Sequence, residues 1–143
     1  KWECRRDSLY LAYQMDPKLE AAALELGKEL SQKKLFSDAL TVYTLYFKNN
    51  GKDFEARFNF AIALAETKRF QEAYKQFNYV LQHNRDKLQH PLYVRTFVKY
   101  LMANNQLQVA RQLITQTRRS NKRAAFFLEK ELQQIDSRLK TSS

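Results

Sequence analysis

Between Phe54 and Leu81 the chain reads FEARFNFAIALAETKRFQEAYKQFNYVL. Apolar side chains recur there at helical spacing twice. The first run is Phe58, Ala61 and Ala65 with Phe60 and Leu64 alongside, and the second is Phe70, Ala73, Phe77, Val80 and Leu81. Between the runs lies a polar corner, Glu66-Thr67-Lys68-Arg69. The spacing predicts two amphipathic helices, and a corner that short makes them fold back antiparallel.

The same pattern lies on both sides of this segment. Moved back by 34 residues, Phe70 falls on Phe36, Ala73 on Ala39, Phe77 on Tyr43, Ala61 on Gly27 and Leu64 on Leu30. A second shift of 34 places Phe36 on Trp2, Tyr43 on Leu9 and Tyr46 on Ala12. Moved forward by 37, Phe70, Ala73 and Phe77 meet Leu107, Ala110 and Ile114, while Phe60, Ala61 and Leu64 meet Phe97, Val98 and Leu101. The three extra residues are expected in a loop around Arg85 to His90. A period of this size built from two helices marks a repeat architecture, in which each hairpin buries its apolar face on its neighbours.

The predicted organisation follows in order. Residues 2–16 form the second helix of a partial repeat, residues 18–50, 53–84 and 90–118 are repeats, and residues 121–139 are a capping helix. In that last helix Leu128, Leu132, Ile135 and Leu139 form a stripe while Lys130, Gln133 and Gln134 face out, as a terminal element of a solenoid requires. All of 1–143 is expected to be one domain excised from a longer protein, since it starts at Lys1 without Met.

Composition agrees with helix. There are only two Gly and two Pro, and helix-favouring residues dominate. The 10 Phe and eight Tyr are read mainly as core, with Phe58 and Phe126 or Phe127 as exceptions. Lone Cys4 forms no internal disulfide, and no apolar run approaches the roughly 18 to 20 residues of a membrane span. The compartment stays open, with the cytoplasm as default. Charge is more telling. The net of +10 concentrates in residues 91–143, where ten Lys and Arg face three Asp and Glu, and no acidic residue occurs between Asp86 and Glu129.

On these residues the sequence resembles the tetratricopeptide repeat (TPR) family. The family's bulky residue at the start of the second helix is matched by Trp2, Phe36, Phe70 and Leu107, and the small residue three later by Ala39, Ala73 and Ala110. An aromatic four further on is matched by Tyr43 and Phe77, and the small residue of the first helix by Gly27 and Ala61. The repeats are degenerate: Ala23, Arg57 and Val94 stand where the family has Trp, and Arg5 and Val98 take small-residue positions. The resemblance implies an all-α, right-handed α-solenoid of antiparallel hairpins. It also implies a concave groove lined by Leu24, Lys28 and Ser31, then Phe58, Asn59 and Ile62, then Leu92, Arg95, Lys99 and Met102. A carboxylate clamp of the chaperone-binding type is not expected, because only Asn59 matches its residue set.

No arrangement of residues points to catalysis. Neither Gly sits in a phosphate-cradling loop, and His83 and His90 lack second ligands at metal spacing. Glu25 and Glu29 are read as solvated charges, and Cys4 beside Arg5 and Arg6 has no partner base. No cofactor and no metal are expected. The expected function is a non-enzymatic scaffold binding an acidic and apolar peptide or partner surface. Its contacts would be Lys28, Phe58, Asn59, Ile62, Arg95, Lys99 and Met102, with Arg95 and Lys99 sharing one outward helix face. A second candidate is the basic run Arg118, Arg119, Lys122 and Arg123, which would suit nucleic acid or another anionic surface. A third reading is a spacer in a longer repeat array with no ligand of its own.

Overall fold

The structure is a computed structural model describing residues 2–16, 18–83, 91–120 and 122–141. Among the described residues there are eight helices and no strand. They are α1 (Trp2–Met15), α2 (Glu20–Gln32), α3 (Phe36–Lys48), α4 (Phe54–Glu66), α5 (Phe70–His83), α6 (Pro91–Ala103), α7 (Leu107–Ser120) and α8 (Lys122–Thr141). Where the sequence suggests one domain, contacts gather into two compact units, Lys1–Val80 and Leu81–Ser143. The loop expected to hold the three extra residues, with His90, lies outside the described residues.

What turns the chain between helices is one local device used repeatedly. Lys34, Lys68 and Asn105 adopt left-handed backbone with φ of 60°, 70° and 58°. Each donates its N–H to the carbonyl three residues back: Lys34 to Ser31, Lys68 to Ala65 and Asn105 to Met102. The following residue reaches five back, Leu35 to Leu30 at 2.9 Å, Arg69 to Leu64 at 2.8 Å and Gln106 to Leu101 at 2.8 Å. This pair of bonds is the Schellman closure, which satisfies carbonyls a helix end would otherwise leave open. The accepting Leu30, Leu64 and Leu101 are all buried at 1% exposure. The three corners stand 34 and 37 residues apart, the two shifts at which the sequence matches itself. Asn50, with φ of 66°, closes α3 in the same manner, and Gly51 donates to Tyr46 at 3.1 Å. Asp53 then opens α4, its carboxylate accepting from the Ala56 N–H at 3.0 Å as a helix cap.

In the first unit α1 packs on α2, α2 on α3 and α3 on α4, and α2 also touches α4. Phe58 of α4 meets Phe77 of α5 edge-on at 5.5 Å. The core is built from Tyr13, Leu26, Leu30, Val42, Tyr43 and Tyr46 with alanines filling the close approaches. Gly27 is there for space: a Cβ on it would lie 2.6 Å from the ring of buried Tyr43. The buried tyrosines keep their hydroxyls partnered or near polar groups. Tyr13 accepts from Asn49 at 3.3 Å, and Tyr46 accepts from the Asp53 N–H at 3.1 Å. Burial pushes the Tyr43 hydroxyl pKa up, while nearby Ser31 and Asn59 draw it partly back. The Ser31 hydroxyl is itself buried without completing a hydrogen bond. At the open end of α1, Arg5 occupies a small-residue position by pairing with Glu25 and, at 2.9 Å, with Glu29. Those two carboxylates are therefore partners of α1 rather than merely solvated.

In the second unit α6 and α7 form a hairpin, and α8 packs on both. Val94, Phe97, Val98 and Leu101 of α6, Ala110 and Ile114 of α7, and Leu128 and Ile135 of α8 are buried in its interior. The predicted α8 stripe is present but broader. Leu128 and Ile135 are fully buried, Leu132 and Leu139 half-buried, and Glu131 is buried as well. A helix covered by two neighbours buries a wider arc than one covered by a single neighbour.

Two predictions follow from local geometry. Left-handed backbone costs a lysine about 1–2 kcal/mol, less for asparagine, and glycine escapes it. Lys68→Gly should therefore stabilise the fold by about 0.5–1 kcal/mol in urea unfolding, net of the added unfolded-state freedom, and Asn105→Gly by less. Gly27→Ala should destabilise by about 1–3 kcal/mol despite alanine's better helix propensity, because Tyr43 must leave its place. A stability equal to or above the parent would contradict the close approach.

Candidate functional site

The residues expected to line a groove divide between the units. In the first, Lys28 on α2 is exposed, while Asn59 and Ile62 on α4 are half-buried. Asn59 is not an idle amide, since it lies at the Tyr43 hydroxyl. Phe58 departs from expectation: at 9% exposure against Phe77 it belongs to the core and presents no ring to a ligand. The reason is that α4 is covered by more than one neighbour, so a position read as its open side is closed.

Next to Phe58, Arg57 shows how a charged residue is kept at a packed position. Its guanidinium carbon lies 4.4 Å from the Phe47 ring centroid and 4.1 Å from that of Tyr79, so it is held between an aromatic of α3 and one of α5. Nη1 donates to the Gln76 amide oxygen at 2.7 Å. Burial lowers the Arg57 pKa, and Tyr79 and Tyr46 oppose that shift. The planar, weakly hydrated guanidinium is suited to such stacking in a way a lysine ammonium is not.

In the second unit Arg95 and Lys99, the basic pair on α6, are both exposed. Arg95 is in addition engaged: its Nε donates to the buried Glu131 carboxylate of α8 at 2.7 Å. The sequence spacing put Arg95 and Lys99 on one side of α6 but could not show that α8 lies over part of it. Two further cations are similarly engaged: Arg111 with Asp136 at 3.3 Å, and Arg138 with the carbonyl of half-buried Met102 at 3.4 Å. The carboxylates of the last helix thus hold Arg95 of α6 and Arg111 of α7.

The second candidate site is arranged differently. Arg118 and Arg119 form the last turn of α7, and Lys122 and Arg123 the first turn of α8, all four exposed. Cations suit the negative end of α7, but the start of α8 carries no acidic residue to match its positive end. Beside this run stand Phe126 and Phe127, 84% and 58% exposed. The sequence held the signal for Phe126. It lies two residues, about 200°, round the helix from buried Leu128, on the side opposite the apolar stripe.

Among the described residues no cluster of His, Cys, Asp and Glu is placed to hold a metal ion, and no helix is long and apolar enough to cross a membrane. Cys4 is exposed with no sulfur partner.

Removing Arg95 leaves the Glu131 carboxylate buried without its cation. Arg95→Ala should cost about 1–3 kcal/mol of stability, discounted for the half-exposed arginine, and a second change, Glu131→Leu, should recover most of it. Equal unfolding midpoints for parent and Arg95→Ala would show the pair to be incidental. Comparison of the chain with protein-family models, with curated proteins and with solved structures finds no match.

Proposed function

We propose that the chain is a tetratricopeptide-like right-handed α-solenoid that serves as a non-enzymatic scaffold, holding an acidic and apolar peptide or partner surface. The observation that carries this reading is the contact of α2 with α4. It sets the first helices of successive hairpins side by side, as a concave lining requires. The recurrence of one corner at Lys34, Lys68 and Asn105 supports the repeat architecture independently. Arg57, at a position where the resembled family carries tryptophan, fills it by stacking between Phe47 and Tyr79.

On this reading the ligand contacts are narrower than residue spacing alone suggests. In the first unit Lys28 supplies exposed positive charge and Asn59 and Ile62 partly open surface, and in the second Lys99 supplies exposed charge and Met102 partly open apolar surface. Phe58 contributes through the core, and Arg95 through its hold on Glu131. Acidic groups on the partner would meet Lys28 beside apolar contacts at Ile62 in the first unit, or Lys99 beside Met102 in the second.

Selection from a random peptide display library tests the proposal. Acidic peptides with interspersed apolar residues are expected to be enriched, and the double variant Lys28→Glu/Lys99→Glu should lower their affinity at least roughly tenfold, about 1.4 kcal/mol. Its unfolding midpoint should stay unchanged, since both lysines are exposed. Peptides that bind the double variant as tightly as the parent, or no enrichment at all, would sink the groove reading and favour a spacer.

A further inference from the structure

We propose that the last turn of α7 and the first turns of α8 bind single-stranded nucleic acid, with phosphates on Arg118, Arg119 and Lys122 and bases stacked on Phe126 and Phe127. This surface lies wholly within the second unit and does not depend on the peptide-scaffold reading.

Three observations point the same way. First, the three cations are exposed, and no acidic residue lies between Asp86 and Glu129 to offset them. By contrast, Arg95 and Arg111 are tied to Glu131 and Asp136. The positive charge left facing solvent here selects an anionic partner.

Second, two adjacent phenylalanines stand out from the helix at 84% and 58% exposure, whereas the other Phe, Tyr and Trp rings of the chain are buried or half-buried apart from Tyr79 at 40%. Lys122 and Phe126 are four residues apart and share one helix face, so an apolar ring stands one turn from a cation. A single strand presents a flat apolar base next to each phosphate, which is the alternation this face would match. A duplex hides those base faces.

Third, the setting disfavours a membrane. The apolar stripe of α8 is turned inward, with Leu128 and Ile135 fully buried, so the helix cannot lay an apolar face into lipid. The exposed part of α7 leading to the patch carries Gln112 and Thr115, whose amide and hydroxyl groups suit sugars and base edges rather than hydrocarbon.

Fluorescence anisotropy with labelled mixed-sequence 12-nucleotide single strands, at salt concentrations from 50 to 300 mM, tests the assignment. Binding is expected to weaken with salt at a log–log slope of about −2, the value for about three phosphate contacts. Arg118→Glu/Arg119→Glu/Lys122→Glu should abolish binding. Phe126→Ala/Phe127→Ala should weaken it at least roughly tenfold with little change in salt slope, as loss of stacking requires. Lys99→Glu, an exposed cation elsewhere in the unit, should leave affinity within about twofold. Circular dichroism should show each variant folded, as expected for exposed positions. Four results would overturn the proposal: no binding at 50 mM salt, binding unaffected by loss of the two rings, tighter binding to a 12-base-pair duplex, or binding only to vesicles containing phosphatidylserine.

Discussion

Three of the helix hairpins depend on a residue held in left-handed backbone between their two helices. At Lys34, Lys68 and Asn105 a single positive φ lets two N–H groups turn back onto the preceding helix end. The helix is closed and the chain reversed within three residues. Each helix then has one short route to burial, against the helix that follows it. The corner is stable because it leaves few carbonyls open and anchors a fully buried leucine at each copy. Backbone strain at two lysines is the cost, and it is offset by the packing that the reversal makes possible.

That packing is close enough to make small residues structural. Gly27 gives the Tyr43 ring its place, and Ala39, Ala61, Ala73 and Ala110 are each at 0% exposure where backbones approach. Large aromatics occupy the remaining volume, and the Tyr13 and Tyr46 hydroxyls are drawn to Asn49 and to the Asp53 N–H, with Ser31 and Asn59 near that of Tyr43. Arg57 follows the same economy, its cation held between two rings instead of being exposed to water. An interior of this kind tolerates charge only where a ring face or a carboxylate receives it.

The second unit sorts its cations by that rule. Those that face α8 are paired, Arg95 with Glu131 and Arg111 with Asp136. Arg118, Arg119 and Lys122, at the junction of α7 and α8, are exposed to solvent, and two exposed rings follow them along α8. Net charge alone gave no reason to separate these groups. The division matters for function, because a cation already engaged to a buried carboxylate has little left to offer a ligand.

Helix positions, corners, repeat period and most of the core were legible in the sequence. They rest on interactions within a few residues: side-chain spacing along one helix, and hydrogen bonds three to five residues back. The capping stripe of α8 was legible for the same reason. The tertiary structure alone decided which face each neighbour covers. Arg95 meets Glu131 across 36 residues of chain and Arg5 meets Glu25 across 20, so neither pairing leaves a mark in local spacing. Phe58 went inward and Phe126 outward by the same kind of decision. Periodicity defines the faces of a helix, but only the packed neighbours determine which of them remains open to a partner.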